Sequence, residues 1–238
     1  MLKNKKICCI IPARSGSKQI KNKNLRTINK KPLFLHSIEQ AKKSKYIDEI
    51  YFNSDSRKMI EIAKFAGAKC DFKRPSKLSN NKSMIADVIL NHFHFYEIQK
   101  KYDYFLLLEP TSPLTDNTDI DRSLEILINN DKATSLVSIS SHTIPNVNMQ
   151  VFKKKNLLLT NKNKSIYKTR RQDFKKKFFL CGTLYISEIN SFIHYKNFIQ
   201  KNTTYYEVSK IKTFEIDDLI DLKIVEKLFK IRKKIEKN

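Results

Sequence analysis

Arg14, Ser17, Lys18 and Lys23 stand close together in ICCIIPARSGSKQIKNKNL (residues 7–25), just after an apolar run that ends at Pro12. A guanidinium can fork onto two phosphate oxygens, a serine hydroxyl can donate to another, and lysines add point charges. In parallel sheets ligands collect at the carboxyl ends of strands, which is where such a loop would sit. A merely solvated basic loop would have the same composition; its place after a buried strand favours the binding reading. The chain has three glycines, Gly16, Gly67 and Gly182. Neither G-x-G-x-x-G nor G-x-x-x-x-G-K-[ST] can be written with them. A phosphate site here must rest on side-chain cations and the tight turn at SGS.

A second group lies near the other end, in KTFEIDD (residues 212–218). Read as a strand, this stretch puts Glu215 and Asp217 on one face and Phe214 and Ile216 on the other. Two carboxylates projecting together can coordinate Mg2+ through oxygen. Helix capping competes for the same acids, because Asp217, Asp218 and Asp221 precede a helical pattern. Both hold if Asp218 caps and Asp217 ligates. Glu109 closes the apolar run DYFLLLEP. His92 and His94, in HFH, have no second ligand cluster to answer them and read as core or surface histidines.

Alternating elements must carry these groups. ICCIIPA, EIYFNSD, DYFLLLEP and TSLVSIS read as buried strands. Between them, RKMIEIAKFAGAK has helical spacing and ends at Gly67, a C-terminal cap. SMIADVILNHFHFY sets Ile85, Val88, Ile89, Phe93 and Tyr96 on one helical face, and DIDRSLEILINN is a further helix. The order predicts an α/β fold: a mainly parallel, Rossmann-like sheet with helices on both faces. The rhythm breaks over 144–177, a basic and irregular stretch that reads as a dimerisation excursion from one domain spanning 1–238. Order returns with FFLCGTLYIS, TYYEVS and a last helix using Leu222, Val225, Leu228 and Phe229.

With 47 Lys+Arg against 24 Asp+Glu, the 238-residue chain carries +23. That excess suggests an anionic partner. Lysines are spread along the whole length, however, and no nucleic-acid recognition motif or basic stripe with aromatics is present. Cys8, Cys9, Cys70 and Cys181 show neither metal spacing nor paired framework. No segment reaches the ~20 apolar residues of a membrane span. A reduced, cytoplasmic, soluble protein is expected.

The opening text follows the form I-P-A-R-x-G-S-K-x-x-x-x-K-N-[LI], and with KPLFLHSIEQAKKS it resembles the start of the acylneuraminate (nonulosonate) cytidylyltransferases, the CMP-N-acetylneuraminate synthetase family. YFNSDS, AKFAGAKCDFKRPSKLS, FLLLEPTSPLTD, TRRQDF, GTLYIS and FEIDDLIDLKIVEKL follow in family order. The resemblance implies a nucleotide-diphospho-sugar transferase type of fold and a homodimer. It implies transfer of CMP from CTP to the anomeric hydroxyl of a nonulosonic acid, with Mg2+. Arg14, Lys23 and Asp217 would then be catalytic. Arg14, Ser17, Lys23, Asn24, Arg74 and Ser83 would bind nucleotide, with Arg74 at the cytosine edge; from the sequence alone a surface arginine before a proline turn is an equal reading of Arg74. Glu109 stands where many members carry glutamine and would touch the sugar or the metal shell; Arg171, Gln172, Asp173 and Tyr185 would face the sugar. Glu215 and Asp217 would hold the metal, Glu215 replacing the first Asp of an Asp-x-Asp pair.

Two departures concern the sugar half. An arginine and an asparagine expected before GTLYI are replaced by Phe179 and Cys181. Met84 and Ile85 stand where small hydroxyl residues follow the LS turn, with Ser83 the nearest hydroxyl. Such a pocket would prefer a deoxy acid such as legionaminate or pseudaminate. The alternatives are a related sugar nucleotidyltransferase with another acceptor, or a basic α/β nucleic-acid-binding protein.

Overall fold

The computed structural model describes residues 2–141, 151–154, 157–160 and 178–235. The chain begins with β1 (Ile7–Pro12), a two-residue hairpin of β2 (Thr27–Ile28) and β3 (Lys31–Pro32), α1 (Leu33–Lys43), β4 (Glu49–Asn53) and α2 (Arg57–Phe65). It continues with α3 (Ile85–Tyr96), β5 (Tyr104–Leu107), α4 (Asn117–Asn129) and β6 (Ser135–Ser140). A two-stranded antiparallel pair, β7 (Val151–Lys154) with β8 (Leu157–Thr160), follows. Then come β9 (Phe179–Glu188), α5 (Ile189–Tyr195), β10 (Thr203–Glu207) and α6 (Leu219–Ile235).

Six strands form the main sheet in the order β10-β6-β9-β5-β1-β4. β1 pairs in parallel with β4 and β5, and β6 with β10; β9 runs antiparallel to both its neighbours, β5 and β6. The expected mainly parallel sheet is therefore present, with one reversed strand. The reversed strand is the first one of the sheet after the irregular stretch 144–177, and it lies between β5 and β6.

The period-2 alternation of strand residues divides the core. From β1, Ile7, Cys9 and Ile11 pack with Phe34 and Ile38 of α1, Met59 of α2 and Leu124 of α4. Cys8 and Ile10 face the other way, onto Ile89 and Phe93 of α3 and Phe192 of α5. Both faces are covered, which is why the strands read as continuous apolar runs. Burial pushes the Cys8 and Cys9 thiols up, and all four cysteines are free and buried. On α3, Ile85 departs from the expected buried face: it is 40 % exposed and lines a cleft, whereas Val88, Ile89, Phe93 and Tyr96 are buried. Gly67, at φ +92°, ends α2 as expected.

A third apolar cluster joins distant parts of the sequence. Ile20, Ile28 and Leu33 meet Leu114, Ile211, Ile216 and Val225, with Leu222, Leu228 and Phe229 against them. α6 thus clamps the basic loop after β1 and the acidic segment before α6 into one body. Among the described residues no helix is long and apolar enough to cross a membrane.

Candidate active site

β1, β4 and β5 are parallel, so Pro12, Asn53 and Leu107 end at the same edge of the sheet. After β4 the chain crosses β1 to place β5 on its far side. The strand order therefore reverses at β1, a topological switch point of the kind where doubly wound sheets bind ligands. A cleft of about 560 Å3 lies there. Its lining includes Arg14, Ser17, Lys18, Lys23 and Asn24 from the loop after β1, Arg74 and Ser83 from the segment between α2 and α3, Glu109 after β5, and Asp217 before α6.

Local hydrogen bonds shape the lining. Asp55 grips the loop after β1, accepting from the Ser15 amide at 2.7 Å and the Ser15 hydroxyl at 2.5 Å. The buried Asn24 amide donates to the Arg14 carbonyl at 3.0 Å, so Asn24 fixes the backbone of Arg14. The Lys23 ammonium donates to the Ile216 carbonyl at 2.8 Å and to Asp217 at 3.3 Å. That single side chain ties the basic loop to the acidic segment. Asp55 was not singled out in the sequence, although YFNSDS placed it at the end of a strand.

The acidic segment is not the expected strand. Lys210–Thr213 is a 3-10 turn, and the chain then runs without sheet partners into α6. Edge pairing is replaced by side-chain anchors: buried Lys212 reaches Asp116 at 2.7 Å and Asp119 at 2.8 Å, beside the capping box that starts α4. The two carboxylates consequently have different surroundings. Glu215 accepts from the Gly182 amide at 2.6 Å, while Asp217 lies exposed at the cleft beside Lys23. Capping falls to Asp218, which accepts from the amides of Ile220 and Asp221, with Asp221 accepting in return from Asp218.

Charge is concentrated across the cleft. Burial, and then the neighbouring Glu215 carboxylate, push Glu109 up to about 7, against the pull of Lys23. Burial lowers Arg74 to about 10, with Arg14 lowering it further and Asp55 opposing. Arg74 is 5 % exposed, so the exposed proline-turn reading is overturned. Its Nε and Nη2 atoms donate to the Asn53 side-chain and backbone oxygens, both at 2.5 Å. Tyr185, on β9, packs on Phe198 and is not among the cleft-lining residues; burial and then Glu109 and Glu215 raise its hydroxyl. Glu215 is also behind the cleft wall rather than on it. Arg171, Gln172 and Asp173 lie outside the described residues.

The sequence profile of the cytidylyltransferase family matches residues 8–238, nearly the whole chain. The protein belongs to that family. This cytidylyltransferase is 28% identical to the pseudaminic acid cytidylyltransferase of Campylobacter jejuni, over 94% of this chain and 96% of that one. It is 30% identical to the CMP-N,N'-diacetyllegionaminic acid synthase of Legionella pneumophila, over 95% and 97%. It is also 30% identical to the N-acylneuraminate cytidylyltransferase of Escherichia coli, where the match covers 92% of this chain and 51% of the relative. Among solved structures, a CMP:2-keto-3-deoxy-manno-octonic acid synthetase complexed with CTP superposes with a TM-score of 0.72, covering 95% of this chain and 99% of that one at 17% identity. That likeness establishes the α/β nucleotidyltransferase fold of the enzyme.

Proposed function

We propose that this cytidylyltransferase joins CTP to a nonulosonic acid at the cleft, giving the CMP-sugar and pyrophosphate. The anomeric oxygen bonds to the α-phosphorus while the bond from that phosphorus to the α,β-bridging oxygen breaks. The observation that carries the reading is the meeting of a basic and an acidic group in one cleft: the Arg14–Lys23 loop and the carboxylates of Asp217 and Glu109, joined by the Lys23–Asp217 contact at 3.3 Å.

Arg14, Ser17 and Lys23 neutralise and orient the triphosphate, which raises the electrophilicity of the α-phosphorus and eases pyrophosphate departure. Asn24 acts by holding the Arg14 backbone. Arg74 and Ser83 line the nucleoside side of the cleft. Mg2+ suits this acidic side of the cleft, because Asp217 is open to it beside Lys23 and because Glu109, raised chiefly by burial and then by Glu215, lies near the same carboxylates. Asp217 would be its direct ligand and Glu215 the carboxylate behind it. Mg2+ commonly takes one or two protein carboxylates and completes its shell with substrate phosphate oxygens and water. When bound, that ion supplies charge neutralisation to the phosphates.

The relatives named above differ in their sugar. Phe179 and Cys181, half-buried and buried on β9, stand where the family resemblance expects an arginine and an asparagine; neither lines the cleft itself, and the exchange of charge and amide for apolar side chains supports a deoxy acid. The test is pyrophosphate release from CTP and Mg2+ with pseudaminate, N,N'-diacetyllegionaminate and N-acetylneuraminate in parallel. Faster turnover with one of the two deoxy acids is expected; faster turnover with N-acetylneuraminate would overturn the acceptor assignment, and no release with any of them the function.

A further inference from the structure

Behind the cleft wall runs a chain of three buried polar side chains. Asn53 and His92 are fully buried and Arg74 is nearly so. Arg74 Nε donates to Asn53 Oδ1 at 2.5 Å, and Asn53 Nδ2 contacts His92 Nδ1 at 3.0 Å. An arginine can only donate, so the oxygen of the Asn53 amide must face it. The amide nitrogen then faces His92, whose Nδ1 must accept, and the imidazole is neutral with its proton on Nε2. Burial and the nearby Arg74 charge hold His92 down at about 3, consistent with that form.

The histidine is costly as a filler. Its ring sits among Tyr51, Tyr96 and Phe72, and its buried Nε2 has no partner among the described residues. An apolar side chain would fill this space without that orphan. What the histidine adds is the Nδ1 acceptor that holds Asn53.

We infer that Asn53 and His92 are positioning residues that aim Arg74 at the pyrimidine edge and thereby select cytosine over uracil. The inference rests on the assignment of CTP to this cleft. With Nε and one Nη2 hydrogen held by Asn53, the guanidinium is fixed as a donor on a wall that Arg74 lines. Cytosine offers acceptors at O2 and N3. Uracil carries a proton on N3, so a fixed donor meets a donor there and loses the contact.

The test is calorimetric binding of CTP and of UTP, each with Mg2+ and without sugar, to wild type, Asn53→Ala, His92→Leu and His92→Gln. The CTP:UTP affinity ratio is the readout, because any unfolded fraction cancels from it. Asn53→Ala and His92→Leu should lower the ratio about tenfold, the effect of one lost hydrogen bond, chiefly by weakening CTP. His92→Gln, whose carbonyl can still accept from Asn53, should restore most of it. An unchanged ratio in Asn53→Ala and His92→Leu overturns the positioning role while leaving the CTP assignment intact. A wild type without preference for CTP overturns both.

Discussion

Glu109 follows β5, half-buried at the cleft near Glu215, and its affinity for a proton has a measurable consequence. In the unfolded chain it titrates near 4.5, in the folded protein near 7. Below the lower value both states are protonated and burial costs nothing. As pH rises from 4.5 to 7 the unfolded chain releases its proton first, so stability falls with pH and levels off above 7. In a chain of this size each kcal/mol of that cost is worth roughly 2–4 °C of melting temperature. Glu109→Gln, which cannot titrate, should therefore melt several degrees above wild type at pH 7.5 and converge with it near pH 4.5. Parallel melting curves across that range would mean that Glu109 is charged in the folded state. Glu109 was legible in the sequence as an acid closing an apolar run; its raised proton affinity depends on tertiary burial and then on Glu215, 106 positions away in the chain, and was not.

At the level of elements, β9 and the segment before α6 are fitted to one another at Gly182. A Cβ at this position would lie 2.6 Å from Glu215 Oε1, while the Gly182 carbonyl accepts from the Ser112 hydroxyl at 3.0 Å. The glycine admits the close approach of the Glu215 carboxylate and is not called for by an unusual backbone angle. Gly182→Ala should cost about 1–3 kcal/mol by overpacking and displace Glu215. Placed together with Glu215→Ala, it should cost clearly less than the sum of the two single changes, since the clash disappears with the carboxylate. Additive melting shifts would show that the two sites are independent. The 212–218 stretch teaches the same lesson: its alternating pattern read as a strand, but Lys212, Asp116 and Asp119 anchor it instead, and Glu215 and Asp217 part company.

For the whole molecule, the charge of +23 makes retention on any polyanion a poor guide to function, because nonspecific attraction follows net charge. A specific ligand stabilises the fold by mass action, by about 2.7 kcal/mol at a hundred times its dissociation constant. CTP with Mg2+ at that excess should raise the melting temperature by several degrees, and ATP with Mg2+ or a short oligonucleotide at equal concentration should not. Equal shifts from all three would favour a general anion surface over a nucleotide site.

Strand and helix order, the parallel core and the basic loop after β1 were decided by local pattern: apolar runs of strand length, amphipathic helices and the ARSGSK text follow from short-range propensity and burial. The blocks in family order also carried the nucleotidyltransferase reading. The reversal of β9, the partnership of Lys23 with Asp217, and the chain from His92 through Asn53 to Arg74 came only with the tertiary structure. Each depends on groups far apart in sequence meeting at hydrogen-bond distance, and nothing in the spacing of residues encodes which buried polar group will answer another.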